Sequence, residues 1–198
     1  MIRPWPLITS QPVFDAGLFR VTRDRARSPR TGRERDFHLL HMVDWLLVVP
    51  TTAEGKLVMV RQYRHGPREV GLEVPGGLHD KVGESPGKGA VREVAEETGY
   101  GGHDTIPLLL GKLRPQPALF SNQVWIYLAK DLRPVAGQDL DAGEDIEVVL
   151  VDPREISQRI ANGEINNAMT VAALSLAQLG GHLDPGQCRR SSKEENRS

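Results

Sequence analysis

Three glutamates in one short stretch, Glu93, Glu96 and Glu97, carry the plainest hint of chemistry in this chain. On an α-helix, which turns about 100° per residue, they share one arc of about 100°. Ala90, Val91, Val94 and Ala95 occupy the opposite side and are fit to face a core. Carboxylates spaced i, i+3 and i+4 repel one another by about 0.2–0.5 kcal/mol per close pair. Folding alone gives no reason to gather them. A hard divalent cation does, because it takes oxygen ligands and offsets clustered negative charge. The competing reading is an ordinary acidic surface helix. Arg92 sits one turn before Glu96 and can reach back toward Glu84, which would pin the preceding loop to the helix.

The elements that must carry these groups have legible ends. Ser85 can cap a helix with Pro86 at its first position, running to Thr98 before Gly99. Just upstream, GLEV (71–74) reads as a short strand that stops at Pro75-Gly76-Gly77. VDWLLVV (43–49) is a buried-strand run, TTAEG (51–55) a turn, and KLVMVRQY (56–63) alternates into another strand. LLLGKL (108–113), VWIYLAK (124–130) and IEVVLVD (146–152) are further strands. Asp152-Pro153 opens a second helix ending near Gly163, and Asn167 opens a third, AMTVAALSLAQL, closed by Gly180-Gly181. Residues 1–40 form an appendage: a weak strand at 18–23, a turn at 27–34, and a second strand at 36–42. The stretch 184–198 is polar and reads as a frayed tail. Strands mixed with three helices predict a layered α/β or α+β domain.

Composition narrows the class. The chain has 198 residues, 39% of them hydrophobic, enough for one generous domain with its own core. A net charge of −1 argues against a general nucleic-acid coat. One cysteine, Cys188, excludes an internal disulfide framework and a cysteine zinc site. The first ten residues lack the apolar stretch of a secretory signal, and the run Trp45–Pro50 is too short to span a bilayer. No membrane partner and a cytoplasmic location are therefore expected. Charge is uneven: arginines crowd 20–35, and Asp139, Asp141, Glu144, Asp145 and Glu147 crowd a later loop. On charge alone, both are ordinary solvated segments.

Gly77, Glu84, Arg92, Glu93, Val94, Glu96, Glu97, Gly99 and Tyr100 together resemble the Nudix box, the signature of the Nudix hydrolases. Glu84 to Gly99 keeps its spacing in full. Three departures stand out: six residues instead of five separate Gly77 from Glu84, Gly87 and Gly89 replace better helix formers, and Tyr100 stands in an aliphatic position. None removes an acid. The resemblance implies an α/β/α sandwich around a mixed sheet, here with an N-terminal β-strand extension, and metal-assisted attack of water on a diphosphate. It implies Glu93 and Glu97 as the main metal ligands, helped by the Gly76 carbonyl, with Mg2+ (or Mn2+) as the metal. Glu96 would be a further ligand or hold the water, while Glu84 and Arg92 support the loop.

Outside the box, VRQYRHG (60–66), LEVPGG (72–77), RPQPALFSNQVWIYLA (114–129) and AGEDIEVV (142–149) come in an order similar to the ADP-ribose and nucleotide-sugar pyrophosphatase branch. That resemblance covers about residues 36–165. It implies a nucleoside diphosphate sugar as substrate and a homodimer whose N-terminal strands (1–40) help complete the partner's site beside the catalytic domain (41–183). Phe37 and the arginine-rich hairpin would then lie at the interface. Arg61 and Arg64 could fork onto a phosphate or form surface ion pairs. Glu73 is either a substrate or metal-network carboxylate or the partner of a nearby arginine. The proton of the attacking water needs an acceptor, and Glu144 stands where this branch carries one, with Asp145 and Glu147 as competitors. Two other functions remain open at this point: a non-catalytic Nudix module that binds nucleotide sugars and regulates, and a hydrolase of dinucleoside polyphosphates or damaged nucleoside triphosphates.

Overall fold

Alternation along two neighbouring strands decides the layers. In β4 (Trp45–Thr52) and β9 (Val124–Pro134), which run parallel, successive side chains point to opposite faces. Val48, Tyr127 and Ala129 go one way, into a cluster with Ala90 and Val94 of α1 (Pro86–Thr98). Val49, Ile126 and Leu128 go the other way, into a larger cluster with Ala173, Leu174 and Ala177 of α3 (Ala168–Leu179). One helix on each face of a mixed sheet is the expected α/β/α sandwich. Truncating a side chain as deeply buried as Ile126 to alanine would cost about 2–5 kcal/mol.

The computed structural model describes residues 1–102 and 105–183, so the tail expected at 184–198 lies outside the described residues. The remaining strands of the main sheet are β5 (Leu57–Arg64), β6 (Glu69–Glu73), β7 (Tyr100–Gly101), β8 (Leu108–Leu113) and β10 (Ile146–Val151). Its order is β10-β5-β4-β9-β7, with β6 also on β5 and β8 also on β9. A short 3-10 turn at Pro153–Glu155 and α2 (Ile156–Ala161) stand where a single helix to Gly163 was expected. No described helix is long and apolar enough to cross a membrane.

The N-terminal residues form a sheet of their own. β1 (Leu7–Asp15), β2 (Phe19–Arg27) and β3 (Glu34–Met42) run in order and antiparallel. Sequence patterning anticipates β2 and β3 but not β1. All nine residues of β1 are exposed, so it shows no alternation, and Pro12 lies at a break in register. The sheet meets the body at the end of β3, where Leu40 exchanges backbone hydrogen bonds with Leu119 and Ser121.

Candidate active site

Local signals build the helix that carries the acids. The Ser85 side chain accepts the Lys88 amide, Pro86 begins the helix, and Gly99 closes it at φ 71°, where a side chain would be strained. The segment after β6 then lies along β4. Leu46 and Val48 donate to the Gly77 and Pro75 carbonyls, and His79 donates its amide to Asp44. Extended backbone alternates, so the Gly76 carbonyl between those two is directed away from β4. The Gly76 amide donates to Glu97 Oε2 at 3.0 Å.

Two glycines allow the close approach. A Cβ on Gly77 would fall inside the Glu93 carboxylate, and one on Gly89 would lie 2.8 Å from a Glu84 oxygen and 2.7 Å from Leu46. Gly89, a poor helix former by propensity, is thus the space that lets the loop and β4 press against α1. The extra residue between Gly77 and Glu84 is taken up by a turn in which Glu84 donates to the Lys81 carbonyl. Gly83 there adopts φ 80°, and Val82 stands in solvent.

Arg92 is the hub. Its Nε and Nη2 donate to the two Glu84 oxygens at 3.1 and 3.2 Å, and its Nη1 pairs with both Glu93 (2.8 Å) and Glu96 (2.5 Å). Lys81 adds a 3.6 Å contact to Glu96. The guanidinium holds the Glu84 carboxyl below its ordinary value. Glu93 and Glu97 go the other way. Burial pushes both up, against the opposing pull of Arg92 on Glu93 and of the Gly76 amide on Glu97; neighbouring acids add to the rise. Glu97, 3% exposed, is pushed up to about 8.

Glu144 contributes to both shifts through its charge, so it stands within electrostatic reach of Glu93 and Glu97. What brings it there is the loop between β9 and β10. Asp139 donates its amide to the Glu96 carbonyl, and the Gln138 side chain donates to the carbonyls of Glu97 (2.6 Å) and Ile146 (3.1 Å). At the tip, Glu144 exchanges hydrogen bonds with Asp141, accepting its amide on Oε2. Glu147, on β10, faces Arg61 across the strand pair at 3.9 Å.

The two arginines of β5 part company. Arg61 and Arg64 are three residues apart and so lie on opposite faces of the strand. Arg61 pairs with Glu164 at 2.7 Å, which Arg159 also holds. Arg64 grips Glu73 with two bonds, at 3.0 and 2.9 Å, and its charge reaches Glu97 and Glu144. Glu73, 3% exposed, also accepts from Asn167 Nδ2 at 2.7 Å. Phe37 is not brought to this group within the chain. It sits on β3, edge-on to Trp5 at 5.6 Å. Gln138 and Lys81 escaped the sequence reading, as did the bond from Asn167 to Glu73; Asn167 is legible only as the start of α3, because its other partner lies in a distant segment.

These acids suit a hard divalent cation. The donors are all oxygen, and burial and mutual repulsion raise Glu93 and Glu97, a cost that a cation would offset. Among the described residues no three side chains already surround one point, Glu93 and Glu96 being held by Arg92.

The comparisons with known proteins agree with this arrangement. The model of the NUDIX domain matches residues 41–174. An ADP-ribose pyrophosphatase of Mycobacterium tuberculosis is 30% identical over 168 residues, covering 84% of this chain and 80% of that protein. A methanol dehydrogenase activator of Bacillus methanolicus is 28% identical over 173 residues, covering 87% and 91%. Among solved structures, an ADP compounds hydrolase superposes with a TM-score of 0.78 at 25% identity, covering 92% of this chain and 98% of that one. A match that takes in the acidic helix, the strands beside it and the Glu144 loop together leaves one conclusion: the chain belongs to the Nudix domain family, with kin among its ADP-ribose pyrophosphatases.

Proposed function

We propose that the protein hydrolyses the diphosphate bond of a nucleoside diphosphate sugar, ADP-ribose or a close analogue, yielding a nucleoside monophosphate and a sugar phosphate. The observation that carries this reading is the Glu97 carboxylate, buried and raised yet held in place by the Gly76 amide beside Glu93 and Glu144. Such a group stores charge repulsion that folding has no use for. The names of the relatives supply the substrate class.

Glu93 and Glu97, with the Gly76 carbonyl, would hold Mg2+ (or Mn2+), and Glu96 would be a further ligand or hold the water. The cation, when bound, neutralises the diphosphate oxygens and acidifies the attacking water. Glu84 locks Arg92, and Arg92 fixes the three helix acids. Arg64, clamped by Glu73, offers its remaining edge to a phosphate oxygen. Glu144 accepts the water's proton as the phosphorus–oxygen bond of the diphosphate breaks. Of the loop's acids, Glu144 is the one that stands among the charges acting most on both Glu93 and Glu97, while Glu147 lies 3.9 Å from Arg61.

A homodimer in the cytoplasm belongs to the same reading. Leu7, Ile8, Val13 and Phe14 of the appended sheet are exposed, and a second copy would cover them and bring Phe37 to the partner's site. Light scattering at micromolar concentration tests this, with a fully active monomer as the adverse result. The activity itself is tested by phosphate release across ADP-ribose, ADP-glucose, diadenosine polyphosphates and nucleoside triphosphates, with and without Mg2+. ADP-ribose or ADP-glucose should lead. Preference for a triphosphate, or no turnover of any, would overturn the reading.

A further inference from the structure

Beside the acidic cluster, the β5–β6 hairpin and the start of α3 enclose an open pocket of about 440 Å3. Its floor is Gly71. A Cβ there would lie 3.3 Å from Glu73 Oε1 and 3.9 Å from Asn166 Oδ1, so any larger side chain would occupy the space. Arg64 stands at the junction: it lines this pocket, and its charge also acts on Glu97.

The polar groups divide into those already used and those left over. Both Glu73 oxygens are engaged, by two bonds from Arg64 and one from Asn167. Asn167 in turn caps α3 through its Oδ1, which fixes the whole clamp to a helix end. Asn166 donates to Glu69 Oε1 at 2.8 Å. Among the described residues, this leaves Arg64 Nη1, Asn166 Oδ1 and Glu69 Oε2 without a hydrogen-bond partner. One cationic edge beside two hydroxyl-accepting oxygens suits an anionic group attached to a polyol. A base would ask for a broad stacking face; His65 is the one aromatic ring lining the pocket among the described residues, and it is packed edge-on to Tyr63 at 5.1 Å.

We propose that this pocket receives the sugar phosphate half of the substrate, with its phosphate on Arg64 and its hydroxyls on Asn166 and Glu69, and that Gly71 sets the room available. This rests on the nucleoside diphosphate sugar reading above. The volume is within the range of small-molecule sites and ample for a pentose phosphate.

Calorimetric titration of the full chain in metal-free buffer tests it, with ribose 5-phosphate, AMP and inorganic phosphate as probes. Ribose 5-phosphate should bind about tenfold or more tightly than inorganic phosphate. Gly71→Val and Asn166→Ala should each remove most of that margin, and Asn166→Ala, which leaves the Arg64–Glu73 clamp untouched, should do so with inorganic phosphate binding unchanged. Asn166 is exposed, so its variant keeps the test valid if Gly71→Val fails to fold. With Mg2+, Asn166→Ala should raise KM for ADP-ribose at nearly constant kcat. The proposal falls if the two phosphates bind alike or not at all, if the margin survives both substitutions, or if AMP takes the pocket as well as ribose 5-phosphate does. A chain that binds ribose 5-phosphate in this way but leaves ADP-ribose intact would sink the activity and keep the pocket. A chain that cleaves ADP-ribose with kinetics indifferent to both substitutions would do the reverse.

Discussion

The N-terminal sheet and α1 are both crowded with charge, and they handle it in opposite ways. In the sheet, arginines meet acids directly across the strands: Arg25 faces Asp36 at 2.8 Å and Arg27 faces Glu34 at 2.9 Å, each at matching register. These pairs are exposed, and screening keeps them weak. On α1, carboxylates are gathered with one arginine among them, and the two most buried are raised. Paired surface charge is scaffolding. Charge collected against its own repulsion is where the fold gives up stability, as the proposed cation site would require.

Glu97→Gln should break this contrast most severely. It keeps the shape and removes the charge, so turnover should fall by orders of magnitude while the metal-free protein melts no lower than the wild type. Undiminished Mg2+-dependent activity would remove Glu97 from the site. Next comes Glu144→Gln, with turnover down by roughly 10²–10⁴ at near-native melting temperature and unchanged metal affinity. Asp145→Asn and Glu147→Gln should be far milder, and a crippling Glu147→Gln would move the proton acceptor to β10.

The acidic helix should also show itself in the pH dependence of stability. Glu97 binds a proton more tightly folded than unfolded, its carboxyl standing at about 8. Its contribution is therefore fully present below the unfolded value and is lost as pH rises through about 8. Scanning calorimetry of the metal-free chain between about pH 5 and pH 8 should show a decline that Glu97→Gln reduces, leaving the part due to Glu93. A divalent cation should raise the wild-type melting temperature more at the alkaline end, where it does not compete with the proton. Equal gains in the variant would contradict the assignment. The smallest effect is expected in the sheet. Glu34→Gln removes one exposed cross-strand pair and should cost at most about 1 kcal/mol in chemical denaturation.

Legibility in the sequence followed the range of the interactions. α1 is read to the residue, Pro86 to Thr98, because Ser85, Pro86 and Gly99 act locally. LLLGKL coincides with β8 for the same reason of pattern. β9 runs on to Pro134, past the expected Lys130, because its last residues pair with Tyr100 and Gly101 and not with a patterned neighbour. The arc of Glu93, Glu96 and Glu97 is helical geometry and needs no tertiary knowledge. The separation of Arg61 from Arg64, and the clamp of Glu73 by Arg64 and Asn167, depend on which segments meet across the sheet. No spacing along the chain announces that.

One amide closes the Glu144 loop at its base. Gln138 Nε2 is bonded both to the end of α1 and to the first residue of β10, eight positions further on. The seven residues between are tied at their base by this amide and by the Asp139 amide on the Glu96 carbonyl, and Gly143 at their tip has open space around it. Such a loop is an exchangeable cassette. A segment of the same length and different composition could be grafted between Gln138 and Ile146 without repacking either core cluster, and its acid would still be delivered to the helix. Adding or removing a residue would be another matter, because these ties gauge the length.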